Sequence, residues 1–230
     1  MHIALYITTG VIAWFAVILV WQYYQVINVD LLENVVKKIR KKEAEEKFDK
    51  FSVLLVVLIF IIIEGFTLFI GTREIHNNYK IKYELILVLL SMTALVDARR
   101  KIIPNLLVLG TLIIRVGIGV YEYFLYDGDL QNILIIDGLG FFLGFGILLI
   151  IAILTKQAIG YGDVKLFGAI GITIGVSDTY STLFYGMIFI LVASIYLLLV
   201  KKKDKKYKVP FAPFIFMGYL TAVIVSNIAL

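Results

Sequence analysis

The chain contains no cysteine, which excludes disulfides, thiolate nucleophiles and cysteine-ligated zinc. It has only two histidines, His2 and His76, far apart and near segment ends. They form no metal-ligand cluster with other residues and no serine–histidine pair, so no metal site is expected. Charge is scarce too: 17% of residues are charged against 61% hydrophobic, and the mean hydropathy is +0.95. That balance excludes a soluble globular protein. Alternating ten-residue strands are missing, which argues against an outer-membrane barrel. The first apolar run lacks a basic leader and a small-residue cleavage site, so it reads as a retained span rather than a signal peptide.

What is present is a series of apolar runs, several of them near the roughly 20 residues that cross a hydrocarbon core. The expected fold class is therefore all-α, a polytopic transmembrane helical bundle of about eight spans. In order these lie over about 3–26, 52–71, a third ending at Asp97, 102–124, 132–154, a short sixth over 164–176, 179–200, and a last one after Phe214. Pro104 falls near the first turn of the fourth, where a missing N–H does no harm. Between the first two runs, Leu32, Val35, Val36 and Ile39 recur at helical spacing beside Lys37, Lys38, Arg40, Lys41 and Lys42. This predicts a basic amphipathic helix over about 30–50, lying on anionic lipid headgroups. Two domains are expected: 1–82, carrying two spans and this helix, and a core of about six spans over 83–230.

Loop charge sets the orientation. The connections after spans one, three, five and seven hold seven, three, two and six of the 22 lysines and arginines, while those after spans two, four and six hold three. Basic loops stay in the cytoplasm, so the odd connections are predicted inside and both termini outside. The net charge of +5 then reports topology, and nucleic acid is not an expected partner. The same count brings Asp97 and Asp163 to one depth, the cytoplasmic edge.

Asp163 stands in Gly160-Tyr161-Gly162-Asp163-Val164-Lys165-Leu166, and Asp97 precedes Arg99-Arg100-Lys101 and Pro104. Carboxylates at membrane depth are costly and usually face a cavity or partner. Two adjacent ones cannot both ionise cheaply, so one keeps a proton. Such a pair activates water: the ionised member takes its proton and the protonated member polarises a scissile carbonyl, with no cofactor required. Gly160 and Gly162 suit a tight turn and close approach of a substrate backbone. Lys165 and Arg99 flank the pair and could tune it or contact acidic groups of a substrate. The plainer reading of either aspartate is an N-cap or interfacial anchor, most readily for Asp163 at a helix start. Arg115 and Glu64 each lie about twelve residues from the inner end of their spans and are expected to pair as a structural lock. Asp137 and Glu122 read as interfacial. The acids Glu43, Glu45 and Glu46 form a candidate docking patch for a basic leader.

Three stretches, Asp97-Ala98-Arg99-Arg100-Lys101-Ile102-Ile103-Pro104-Asn105, GYGDVKL at 160–166 and VPFAPF at 209–214, together resemble the type IV prepilin peptidase family of GxGD aspartic membrane proteases. They occur in the family's order and cover the chain from the third span onward. The resemblance implies that Asp97 and Asp163 are the catalytic pair. It also implies that prepilin-like or prearchaellin (preflagellin) precursors are cut after a short basic leader, just before their hydrophobic segment, at the cytoplasmic face of the cell membrane. Bifunctional bacterial members carry a large cytoplasmic loop with paired cysteines and also N-methylate the product. The first cytoplasmic loop here is short and cysteine-free, so methyltransferase activity is not expected and the pattern is closer to archaeal members.

Two other classes compete. GYGD is also the core of a potassium selectivity filter, but Ala158-Ile159 precedes it where a filter carries a threonine hydroxyl, and loop charge places the turn inside. A carboxylate-coupled ion or solute transporter would use the same two aspartates, but no internal repeat surrounds them. A presenilin-like enzyme shares GxGD, yet Val96 stands where a tyrosine is usual before the first aspartate.

Overall fold

The computed structural model describes residues 50–125, 130–154, 159–202 and 209–228. The expected first span, the amphipathic helix over 30–50 except for its last residue, and Glu43, Glu45 and Glu46 lie outside the described residues. Among the described residues every regular element is helical: α1 Lys50–Thr72, α2 Asn77–Arg100, α3 Asn105–Leu125, α4 Leu130–Phe141, a π-helical turn Phe142–Gly146, α5 Ile147–Leu154, α6 Tyr161–Leu199 and α7 Ala212–Ile228. They fall into two compact units, Met1–Thr72 and Arg73–Leu230. In the first, Ile59, Ile63, Phe66 and Ile70 mark one buried face of α1 at helical spacing.

Among the described residues, three stretches are long and apolar enough to cross a membrane: Asn105–Phe124, Gln131–Leu154 and Tyr161–Leu199. Val57–Thr72 and Ala212–Ile228 are apolar but shorter. The outward faces of α3 and α6 carry large apolar side chains, among them Leu109, Ile113, Val116, Leu191 and Val192, as a lipid-facing surface requires. The helix that the sequence begins after 82 starts at Asn77, and it buries Lys80 and Lys82.

Helix α6 is 39 residues long, yet it is not one straight rod. Gly175 breaks its dihedrals, with φ 80° and ψ −174°, a conformation open essentially to glycine alone. The Phe167 carbonyl oxygen and Thr179 Cγ2 both lie within 4 Å of the place where a Gly144 Cβ would stand. They are therefore at most about 8 Å apart, whereas twelve residues of unbroken helix would separate them by about 18 Å. The chain doubles back at Gly175, and α6 is a helical hairpin whose arms answer to the sixth and seventh apolar segments of the sequence.

Small residues bring the arms against their neighbours. Backbone meets backbone at Gly140 and Gly171, and again at Gly186 and Gly218, the close approach that membrane helices use in place of hydrophobic sorting. Helix α7 lies between α2 and α6, tied to α2 by the buried Tyr219 hydroxyl, which donates to the Tyr83 carbonyl at 2.6 Å. The Tyr83 hydroxyl in turn donates to Asp178 at 2.7 Å, just beyond the hairpin turn. These ties fix the start of α2 against the middle of α7 and the turn of α6.

Candidate active site

Asp97 lies in the last turn of α2 and is 4% exposed. The helix ends immediately after it: Lys101 adopts a left-handed conformation (φ 55°) and its N–H closes on the Asp97 carbonyl at 2.9 Å. Residues 101–104 then run without regular structure to α3, with the Pro104 carbonyl accepting the first helical bond from Leu107. Asp163 is the third residue of α6, and its carboxylate accepts the N–H of Gly160, the helix N-cap, at 3.2 Å. This is the carboxylate half of a capping box: Gly160 is the N-cap and Asp163 the third helical residue, so Asp163 caps the helix start without standing at the N-cap position the sequence suggested.

The Asp97 carboxylate is held by a different helix. Its Oδ2 accepts the Ala212 N–H at 2.9 Å, and the Phe211 N–H is also directed at it. The Phe211 carbonyl takes the first bonds of α7, from Phe214 and Ile215, so Phe211 is the N-cap and Ala212 the first helical residue. At such an end four N–H groups have no partner inside the helix. Pro213 removes one of them, and Asp97 supplies an acceptor where a capping side chain would otherwise stand.

Three further contacts draw the two aspartate segments together. Ile103 packs so closely on Gly162 that a Cβ there would stand 3.2 Å from the Ile103 Cβ. Lys165 Nζ donates to Asn105 Oδ1 at 3.3 Å. The Phe167 and Phe211 rings meet edge to face at 5.9 Å. As a result the N-termini of α3, α6 and α7 gather at the C-terminal end of α2, and the two carboxylates lie within electrostatic reach of each other. Positive helix ends favour negative charge within their first turn, so this junction suits carboxylates that would otherwise be costly at membrane depth.

Of the residues expected from the sequence, Asp97, Asp163, Gly160, Gly162, Lys165, Pro104 and Asn105 are brought together here, and Tyr161 stands half-exposed at the start of α6. Arg99 lies on α2 two residues past Asp97. Gly160, at φ −70° and ψ 143°, occupies a conformation open to any residue, so its part is not conformational. A Cβ there would stand 3.2 Å from Asp163 Oδ2, and glycine keeps the carboxylate clear.

Arg115, expected from the sequence to pair with Glu64, has partners within its own unit that the sequence did not suggest. Glu64 belongs to the other unit, and within its own unit Arg115 is fully engaged. Its Nε donates to the Ile172 carbonyl at 3.0 Å, Nη1 to Glu122 at 3.1 Å and Nη2 to Asp137. Lys82 completes the cluster with Glu122 at 2.7 Å. Glu122 is 5% exposed, so it is buried within the protein and satisfied by its neighbours. The cause is the hairpin: the break at Gly175 removes the helical partner of the Ile172 carbonyl, and a buried carbonyl needs a donor. Once Arg115 fills that need, its charge needs carboxylates. A sequence signal existed, since Glu122 follows Arg115 by two helical turns and shares its face. The part of Phe211 and Ala212 also escaped the sequence, although Pro213 marks a helix start. A cavity of about 240 Å³ adjoins the charge cluster, lined among others by Asn78, Lys82, Asp137 and Thr173.

Residues 85–195, just under half of the chain, match the model described as the Type IV leader peptidase family. The matched stretch contains both aspartates and ends before 209–214. A Bacillus subtilis (strain 168) protein named Prepilin leader peptidase/N-methyltransferase is 33% identical over 92 residues, which is 39% of this chain and 36% of that protein. The match thus spans about a third of that curated relative. No solved structure matches.

Proposed function

Residues 85–195 match the type IV leader peptidase family, and from that premise we propose that the protein belongs to it and is a membrane-embedded aspartic endopeptidase. Its substrates are prepilin-like or prearchaellin precursors, cut at the end of the basic leader and just before the hydrophobic segment. Asp97 and Asp163 are the catalytic pair. The observation that carries this reading is the convergence of two carboxylates from distant parts of the chain, each accepting from a helix N-terminus and each within the family-matched stretch. A capping-box aspartate would explain Asp163, but it would not explain why the start of α7 is spent on Asp97.

The chemistry follows from the pair. One carboxylate is ionised and removes a proton from water as the oxygen attacks the scissile carbonyl carbon. The other is protonated and donates to the carbonyl oxygen. Lys165, Asn105 and Tyr161 border the approach and are proposed to position the substrate, with Gly160 and Gly162 keeping the path open. The loop-charge bias supports a bundle of about eight spans in the cell membrane with both termini outside and the site on the cytoplasmic face. The relative's name also carries an N-methyltransferase. For this chain we propose peptidase activity alone, on the ground that its first cytoplasmic connection is short and cysteine-free.

The test mixes detergent-purified protein with a prepilin and with a prearchaellin precursor and reads the product N-terminus by mass spectrometry. Cleavage just before the hydrophobic segment, lost in both Asp97→Asn and Asp163→Asn, is the expected result. Cleavage that survives either substitution breaks the pairing. Adding a methyl donor to the same reactions should leave the product mass unchanged.

A further inference from the structure

The two carboxylates are not held alike, and the difference divides the labour between them. Asp97 accepts from the amide of the first helical residue of α7 at 2.9 Å and faces the Phe211 amide as well. Asp163 accepts one longer bond, 3.2 Å, from the Gly160 amide of its own helix. Charged groups also favour Asp97: Lys101, one turn along its own segment, faces it. From α6 the facing group is Asp163 itself, with Lys165 beside it turned to Asn105 of α3. From α7 come the two amides and no described ionisable side chain. Burial opposes charge at Asp97, but amide donors on a carboxylate act on its ionised form specifically and strongly.

We propose that the N-terminus of α7, through the Ala212 amide, holds Asp97 ionised as the general base, and that Asp163 keeps the shared proton as the general acid. This rests on the aspartic-peptidase reading and goes beyond it by giving each carboxylate one role and Ala212 a positioning role. In the attack, Asp97 takes a proton from water, the water oxygen bonds to the carbonyl carbon, and the Asp163 proton passes to the carbonyl oxygen. In the collapse, the proton on Asp97 goes to the leaving nitrogen as the C–N bond breaks. Asp163 recovers its proton from a hydroxyl of the tetrahedral intermediate as the new carboxyl group forms. One water is consumed and both aspartates return to their starting states.

Ala212→Pro tests this directly. It deletes the N–H at a first helical position, where proline is well tolerated, so the bond to Asp97 is lost while α7 can still start. Its mirror is Gly160→Pro, which deletes the donor to Asp163 at a φ of −70° that proline adopts. Lys101→Gln, on an exposed side chain, is a third variant that leaves the backbone alone. The readout is the pH profile of kcat/KM for precursor cleavage, whose acid limb reports the base and whose alkaline limb reports the acid of the coupled pair. Ala212→Pro is expected to move the acid limb up by about one pH unit and to leave the alkaline limb in place. Lys101→Gln moves the acid limb the same way by less, and Gly160→Pro moves the alkaline limb instead. A crossed result, with Ala212→Pro moving the alkaline limb, reverses the roles. An acid limb unmoved by both Ala212→Pro and Lys101→Gln overturns the assignment. Wild-type cleavage that is lost in both aspartate-to-asparagine variants is established first, so failure of the peptidase reading shows there and failure of the role assignment shows only in the profiles. Should Ala212→Pro not fold by thermal melting, the other two variants decide.

Discussion

At the scale of single residues, taking the carboxylates at 97 and 163 out of water costs free energy, and backbone amides at helix starts offset that cost. Asn at either position keeps the shape and one acceptor but can neither take a proton from water nor share one. Both Asp97→Asn and Asp163→Asn are therefore expected to lower kcat at least 10²-fold with little change in thermal stability, read by precursor cleavage and a melting curve on the same preparation. Gly160→Ala is a milder probe. Its methyl group would stand 3.2 Å from Asp163 Oδ2, so the carboxylate must shift by a few tenths of an ångström. The expected result is lower cleavage without loss of fold, since the backbone dihedrals there suit alanine.

At the scale of elements, the hairpin in α6 decides the most. Gly175 makes the reversal possible, and Gly175→Ala is expected to destabilise the protein by about 1–3 kcal/mol, measured by denaturation in detergent. Arg115 serves the same turn from α3 by donating to the Ile172 carbonyl. Arg115→Met would strand that carbonyl together with Glu122 and Asp137. A loss of about 3–5 kcal/mol is expected, and Arg115→Met combined with Asp137→Asn should recover part of it in the same denaturation series. A second interface prediction concerns α6 and α7. A Cβ at Gly218 would fall 2.7 Å from the Gly186 Cα and 2.8 Å from the Thr182 carbonyl oxygen, so Gly218→Ala must push the two helices apart. Because α7 also carries Ala212 to Asp97, that variant is expected to lose cleavage together with stability.

At the scale of the whole molecule, the separation of work between the two ends of the second unit is what matters. One end gathers three helix N-termini around two carboxylates. Away from it, near the hairpin turn, Arg115, Glu122, Asp137 and Lys82 neutralise one another. The proposed topology can be checked with little disturbance because the chain has no native cysteine. Single cysteines at Lys202 and at Asn77 are expected to react with an impermeant thiol reagent from opposite faces of sealed vesicles, Lys202→Cys from the cytoplasmic side. Labelling of both from one face would remove the basis for placing the site inside.

The helical class, the positions of the apolar segments and both aspartates were legible along the chain, because hydropathy, charge bias and glycine–aspartate punctuation are local properties. Pro104, read at the start of a helix, stands one residue before α3 for the same reason. The partners of charged groups were not legible. Depth along a span matched Arg115 with Glu64, but depth says nothing of which helices are neighbours or which face a side chain occupies. The rotation of α3 and the break at Gly175 bring Arg115 to Glu122, Asp137 and a backbone carbonyl. Likewise nothing near Asp97 in sequence indicates that its carboxylate is held by Ala212, 115 residues away. A buried charge is satisfied by whatever the packing brings within hydrogen-bond reach, and only the tertiary structure specifies that.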